Sequence, residues 1–176
     1  MIDFWRIKTL TSPHLNPMTP VSSSAARAAK PAPPFVGRVA ECAELEQARD
    51  SGRPELIAVY GRRRVGKTAL VRRFFADQLR LELTGSRKAT TKQQLSNFAA
   101  ALSTVAGVRY ARPENWAEAF QTLSRYLETV PKDDRHVVFL DEIPWLAGRR
   151  SDFLSAFEHF WNSWGTRQNN LIVVIC

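Results

Sequence analysis

Leu56-Ile57-Ala58-Val59-Tyr60 runs directly into Gly61-Arg62-Arg63-Arg64-Val65-Gly66-Lys67-Thr68. The first five residues are an apolar run bounded by Pro54 and Gly61, the length and texture of a strand buried on both faces. The next eight match the spacing G-x-x-x-x-G-K-[ST] at every fixed position. Beyond them Leu70, Val71, Phe74 and Phe75 recur at helical spacing, which predicts a helix over 68–79. In a strand, glycine loop and helix taken in that order, the loop's N–H groups can curl around an anion. The positive end of the helix points at the same place.

The residue types inside the loop narrow that anion to a polyphosphate. Lys67 supplies a mobile ammonium for β- and γ-phosphates, and the Thr68 hydroxyl suits Mg²⁺. The candidate nucleotide contacts are therefore Gly61, Arg62, Arg63, Arg64, Val65, Gly66, Lys67 and Thr68, with Ala69 following. Arg62, Arg63 and Arg64 fill the free positions of the pattern. They either touch phosphate or a partner, or form a solvated face.

A second block, Val137-Val138-Phe139-Leu140-Asp141-Glu142, reads as a buried strand ending in two carboxylates. At the C-terminal edge of a parallel sheet those acids face the ligand crevice. Asp141 is expected to hold Mg²⁺, directly or through water, and Glu142 to polarise an attacking water. An acid next to the metal aspartate favours hydrolysis over transfer to a small molecule. No Asn-Lys-x-Asp sequence for reading guanine occurs.

Outward from these blocks the chain alternates helix and strand. Helices are expected over 39–50, 92–105, 115–130 and 152–164, the last closed by Gly165. Leu81-Glu82-Leu83 is a weak strand and Leu171 to Ile175 a last apolar one. Alternation of this kind implies an α/β fold with a parallel sheet. Residues 1–34 differ, with Pro13, Pro17, Pro20, Pro31, Pro33 and Pro34 in a Ser/Ala-rich stretch. They read as a disordered leader, or as sequence upstream of the native start, ahead of one domain over 35–176.

Bulk properties fit a soluble cytoplasmic protein. Among 176 residues no apolar run approaches the ~20 needed to cross a bilayer. Two cysteines, Cys42 and Cys176, suggest neither a disulfide framework nor a metal cluster. His14, His136 and His159 lack metal-ligand spacing. The net charge of +8 admits nucleic acid as a partner as well as bound phosphate. Trp116, Trp145, Trp161 and Trp164 are expected in the core or at an interface, and Glu158 and His159 in solvent.

Three blocks together resemble one family. These are Phe35-Val36-Gly37-Arg38, then Tyr60 to Thr68, then Phe139-Leu140-Asp141-Glu142-Ile143-Pro144-Trp145-Leu146. The set resembles the archaeal-type ATPases of bacteria and archaea, relatives of AAA+ proteins and of STAND nucleotide switches, over about 35–176. The resemblance implies ATP and Mg²⁺ as ligands. It also implies that Val36, Gly37 and Arg38 lie near adenine and ribose. Val39 departs from the family, in which an acid follows the arginine.

The implied fold is a three-layer P-loop NTPase of the additional-strand type, with Leu171–Ile175 inserted between the strands at 56–60 and 137–140. It implies hydrolysis in a longer protein, or else a nucleotide-gated switch reporting to a protein or nucleic acid. On this reading the domain is truncated after its fourth strand. One side of the 56–60 strand is then left with unpaired N–H and C=O groups, and the isolated chain is marginally stable.

Overall fold

The computed structural model describes residues 5–9, 38–132 and 134–176. Its elements are β1 (Trp5–Thr9), α1 (Val39–Asp50), β2 (Glu55–Gly61), α2 (Lys67–Phe74), β3 (Leu79–Thr84), α3 (Thr91–Ala106), α4 (Trp116–Thr129), β4 (His136–Asp141), α5 (Ile143–Leu146), α6 (Phe153–Ser163) and β5 (Leu171–Ile175), with a 3-10 turn at Gly165–Arg167 before β5.

The apolar runs at 55–61, 136–141 and 171–175 form the centre of one sheet, ordered β1-β2-β5-β4-β3. β5 pairs in parallel with β2 on one side (Ile57 opposite Val174) and with β4 on the other (Val138 opposite Val173). The expected insertion of the last strand between the other two is observed. β4 is buried along its whole length, which is why its sequence is continuously apolar rather than alternating.

Alternate residues of each strand supply two separate cores, because successive side chains leave a strand on opposite faces. Val137 and Phe139 of β4, Ile172 and Val174 of β5 and Ile57 and Val59 of β2 pack under α1 and α2, against Leu45, Leu70, Val71 and Phe75. Val138, Leu140, Leu171, Val173, Leu81 and Leu83 face α3, α4 and α6, against Leu95, Phe98, Trp116, Phe120, Leu123, Phe153 and Phe160. The result is helix, sheet, helix. Trp116 is fully buried, edge-on to Phe98 and Phe153.

Four boundaries differ from the sequence reading. The helix expected over 68–79 stops at Phe74, since Leu79 is taken by β3 pairing with Val137. Residues 75–78 are a tight connection in which the Leu79 N–H reaches the Phe75 carbonyl. Gly165 does not close α6: Trp164 does, and Gly165 opens the 3-10 turn against the Trp161 ring, where a Cβ would come within 2.8 Å. α5, only four residues long, was not foreseen.

The fourth difference concerns the sheet edge. Trp5–Thr9 falls inside the stretch expected to be disordered, yet it forms β1 and pairs antiparallel with β2, Ile7 opposite Val59. The unpaired β2 edge expected from the sequence is therefore not observed. Among the described residues the sheet has five strands, and Ile7 packs against the α1/α2 core. Extended backbone with apolar residues at alternate positions satisfies the N–H and C=O groups of β2 that no parallel neighbour reaches. The rest of residues 1–34 lies outside the described residues.

Candidate functional site

β2, β5 and β4 all point their C-terminal ends to one edge, and the functional side chains gather there. The loop after β2 turns on Gly66, which precedes α2 with φ 86°, a left-handed backbone that favours glycine. Arg64 is also left-handed at φ 63°. This curl aims the first N–H groups of α2 inward. No side chain caps them, so they remain available to an anion.

Two hydrogen bonds hold Lys67 across the loop mouth. Its Nζ donates to the carbonyls of Gly61 (3.1 Å) and Arg62 (2.9 Å). The Thr68 hydroxyl crosses to the neighbouring block and donates to Asp141 Oδ2 at 2.8 Å. Asp141 is 5% exposed, and its other oxygen accepts the Glu142 N–H at 3.0 Å. Glu142 itself is left-handed, φ 53° and ψ 47°, a conformation that costs a non-glycine residue roughly 1–2 kcal/mol. It turns the Glu142 side chain away from the strand line, and Oε2 lies 3.6 Å from the Arg63 guanidinium.

One open cavity of about 860 Å³ joins these groups. Of the residues singled out in the sequence, Gly61, Arg63, Arg64, Gly66, Lys67, Thr68, Ala69, Asp141 and Glu142 line it. Arg62 contributes its carbonyl to Lys67 rather than a lining side chain. Val65 and Arg38 meet behind the loop, where Arg38 Nη2 donates to the Val65 carbonyl at 2.5 Å and Nη1 pairs with Glu41 at 3.3 Å. Arg38 thus braces the loop from outside the cavity. Val36 and Gly37 lie outside the described residues.

Five lining residues, Val59, Tyr60, Arg72, Pro144 and Cys176, were not among the site residues expected from the sequence. Arg72 stands one turn beyond Thr68 and is fixed by Glu82 on β3, Nε to Oε1 2.7 Å. Pro144 lies in α5. Cys176 follows β5, with its N–H on the Leu140 carbonyl and its carbonyl receiving the Ile143 N–H. Burial and the neighbouring Asp141 push its thiol up to about 12. Helical spacing could have placed Arg72 on the loop side of α2. Cys176 needed the strand order.

The acidic end of β4 is packed from below by β3. The Gly85 N–H donates to the Asp141 carbonyl, and a Cβ on Gly85 would meet the Glu142 carbonyl at 2.5 Å. Buried Gln94 of α3 donates to the carbonyls of Ser86 (2.9 Å) and Trp145 (3.2 Å) and accepts the Ser86 N–H. Glu142 therefore sits on a fixed floor.

No group of three or more His, Cys, Asp or Glu among the described residues could hold a metal ion. A hydroxyl and a carboxylate at 2.8 Å nevertheless fit Mg²⁺, which commonly takes one or two protein ligands and completes its shell with water and phosphate. No helix among the described residues is long and apolar enough to cross a membrane.

Sheet order, glycine loop and paired acids at the strand ends define a P-loop nucleotide-binding core of the Walker type. The chain belongs to the family of ATPase domains found predominantly in archaea, whose model matches residues 35–176. Among solved structures it is similar to a Walker-type ATPase of Pyrococcus abyssi, at a TM-score of 0.57 and 19% identity, over 80% of this chain and 45% of that one. The chain thus spans less than half of that protein, and at this identity the likeness concerns the fold. No curated protein matches the chain.

Proposed function

We propose that the domain binds MgATP in the cavity between the 61–68 loop and Asp141–Glu142, and that Glu142 serves hydrolysis of the terminal phosphate. The observation that carries this reading is the 2.8 Å contact of Thr68 with Asp141, residues far apart in sequence that meet beside Lys67.

In this reading the loop N–H groups and Lys67 cradle the phosphates, and Thr68 with Asp141 holds the magnesium ion. That ion would neutralise charge on the phosphate oxygens. Glu142 accepts a proton from, or orients, the attacking water. Arg38 keeps the loop in shape through Val65. Titration calorimetry tests the binding step. Wild type should bind MgATP, and Lys67→Ala should lose about a hundredfold in affinity, ~3 kcal/mol, since a charge leaves a preorganised site. Equal affinity in both would overturn the reading.

A slow nucleotide switch is the second reading, and the Arg63–Glu142 contact favours it. A carboxylate engaged by a guanidinium must leave that contact to reach an attacking water, so ATP could be held longer than it is turned over.

A further inference from the structure

β3 and β4 are neighbours in the sheet, and both connections leaving their C-terminal ends are basic. The segment 85–92 carries Arg87, Lys88 and Lys92, and the segment 147–152 carries Arg149 and Arg150; the one acid in either is Asp152. All five cations are exposed, and among the described residues none has an ion pair. Between the segments lies a cleft of about 440 Å³ lined by Thr90, Thr91, Gln94, Trp145, Arg149 and Arg150.

This surface is built rather than loose. The Arg87 guanidinium lies 5.6 Å from the Trp145 ring centre, a cation–π distance that fixes its position. Gln94 ties both walls together by bonding Ser86 on one and Trp145 on the other. The cleft is distinct from the nucleotide cavity and shares no lining residue with it.

We infer that this cleft is a docking surface for the phosphodiester backbone of a nucleic acid. Arg149 and Arg150 line the cleft, and Arg87, Lys88 and Lys92 stand exposed on the segment beside it. Such a spread of cations suits a chain of evenly spaced phosphates better than one isolated anion, and releasing its counterions favours binding. A nucleic acid lies along a groove, with phosphates reaching both walls. An acidic membrane would be met by a flat basic face, and here the cations flank a depression instead. Contacts of this kind position a strand without reading its sequence.

The test measures anisotropy of fluorescein-labelled oligonucleotides of about 30 nucleotides, single-stranded and duplex, across a salt series from roughly 50 mM. No nucleotide is added, so the outcome is independent of the ATP reading. The variant Arg149→Ala/Arg150→Ala is compared with Arg125→Ala/Arg167→Ala, which removes two exposed cations outside the cleft, on α4 and just before β5. Circular dichroism checks that each is folded, and Lys92→Glu provides a second change, on the basic segment beside the cleft.

The cleft variants should weaken binding at least about tenfold. The double change should also lower the salt slope by about 1.4 to 1.8, since each lost phosphate contact removes ~0.7 (single strand) to ~0.9 (duplex). The control pair should change affinity less than about threefold. Whichever oligonucleotide shows the larger loss identifies the bound form. Equal loss in the cleft and control variants, no oligonucleotide binding by the wild type, or binding only to phosphatidylserine vesicles would overturn the assignment.

Discussion

Thr68 on α2 and Asp141 on β4 touch through one hydrogen bond of 2.8 Å, although the strands that present them, β2 and β4, are separated by β5. The contact spans the width of a strand, and in the proposed function it is where a magnesium ion would be held. Asp141→Asn should keep the fold and much of the affinity for metal-free ATP, while the gain in affinity on adding Mg²⁺ should fall at least about tenfold. Calorimetry with and without Mg²⁺ measures this. An unchanged Mg²⁺ dependence would place the ion elsewhere.

Glu142→Gln should bind MgATP within about threefold of wild type and lose about a hundredfold or more in hydrolysis, the range of a general base. Arg63→Ala should leave binding nearly intact and raise turnover a few-fold, because it frees the Glu142 carboxylate. Phosphate release under single-turnover conditions reads both. Unchanged hydrolysis in Glu142→Gln would show that the base is another group.

Arg38→Ala removes a charged donor from the Val65 carbonyl. A hydrogen bond to a charged group contributes about 1.5–3 kcal/mol, so loosening the loop should weaken ATP binding about tenfold. Arg38→Lys should recover part of the loss. Affinity unaffected by Arg38→Ala would mean the loop holds its shape unaided.

Removing residues 1–10 uncovers the β2 edge and the surface where Ile7 packs. Melting should begin several degrees lower, at roughly 2–4 °C per kcal/mol for a chain of this size. Light scattering should show concentration-dependent association through the bare edge. A monomer that melts as before would show that β1 adds nothing to stability.

His136, 3% exposed at the start of β4, places Nε2 2.8 Å from the Pro131 carbonyl and Nδ1 3.3 Å from the Asn170 amide. Both contacts are satisfied by a neutral ring with its proton on Nε2. Burial lowers its pKa below the ordinary 6.5, so the unfolded chain takes up the proton first. Its contribution to stability is thus present above about pH 6.5 and is lost as pH falls through the lowered value. Melting temperatures from pH 8 to 5 should fall below that point, and His136→Gln should flatten that part of the curve.

Much of this architecture could be read before folding. Residues 55–59, His136–Asp141 and Leu171–Ile175 are largely buried on both faces, so their apolar runs needed no alternation to be recognised. The eight-residue loop carries its geometry in fixed positions. What escaped depends on residues far apart in the chain. Trp5–Thr9 becomes a strand only because β2 offers it an edge, and its Pro-rich surroundings hid the alternation. α5 is too short for a helical period. Leu79 kept the helix spacing yet pairs with Val137. The bond from Arg38 to the Val65 carbonyl joins residues 27 apart and shows only in the fold. The basic cleft joins two segments that only the neighbouring of β3 and β4 brings together.

The placement of β5 has a kinetic consequence. Glu55 of β2 pairs with Ile172, and His136 of β4 with Leu171, so both halves of the nucleotide site are registered against a strand made after either of them. Until β5 arrives, β2 and β4 have no common template, and Thr68 cannot be held opposite Asp141. Pairings this distant along the chain raise the contact order and slow the search for the native state. During synthesis, ATP should have no assembled pocket to enter until Leu171–Ile175 has left the ribosome, so ligand-assisted folding can act only after β5 has paired with both neighbours.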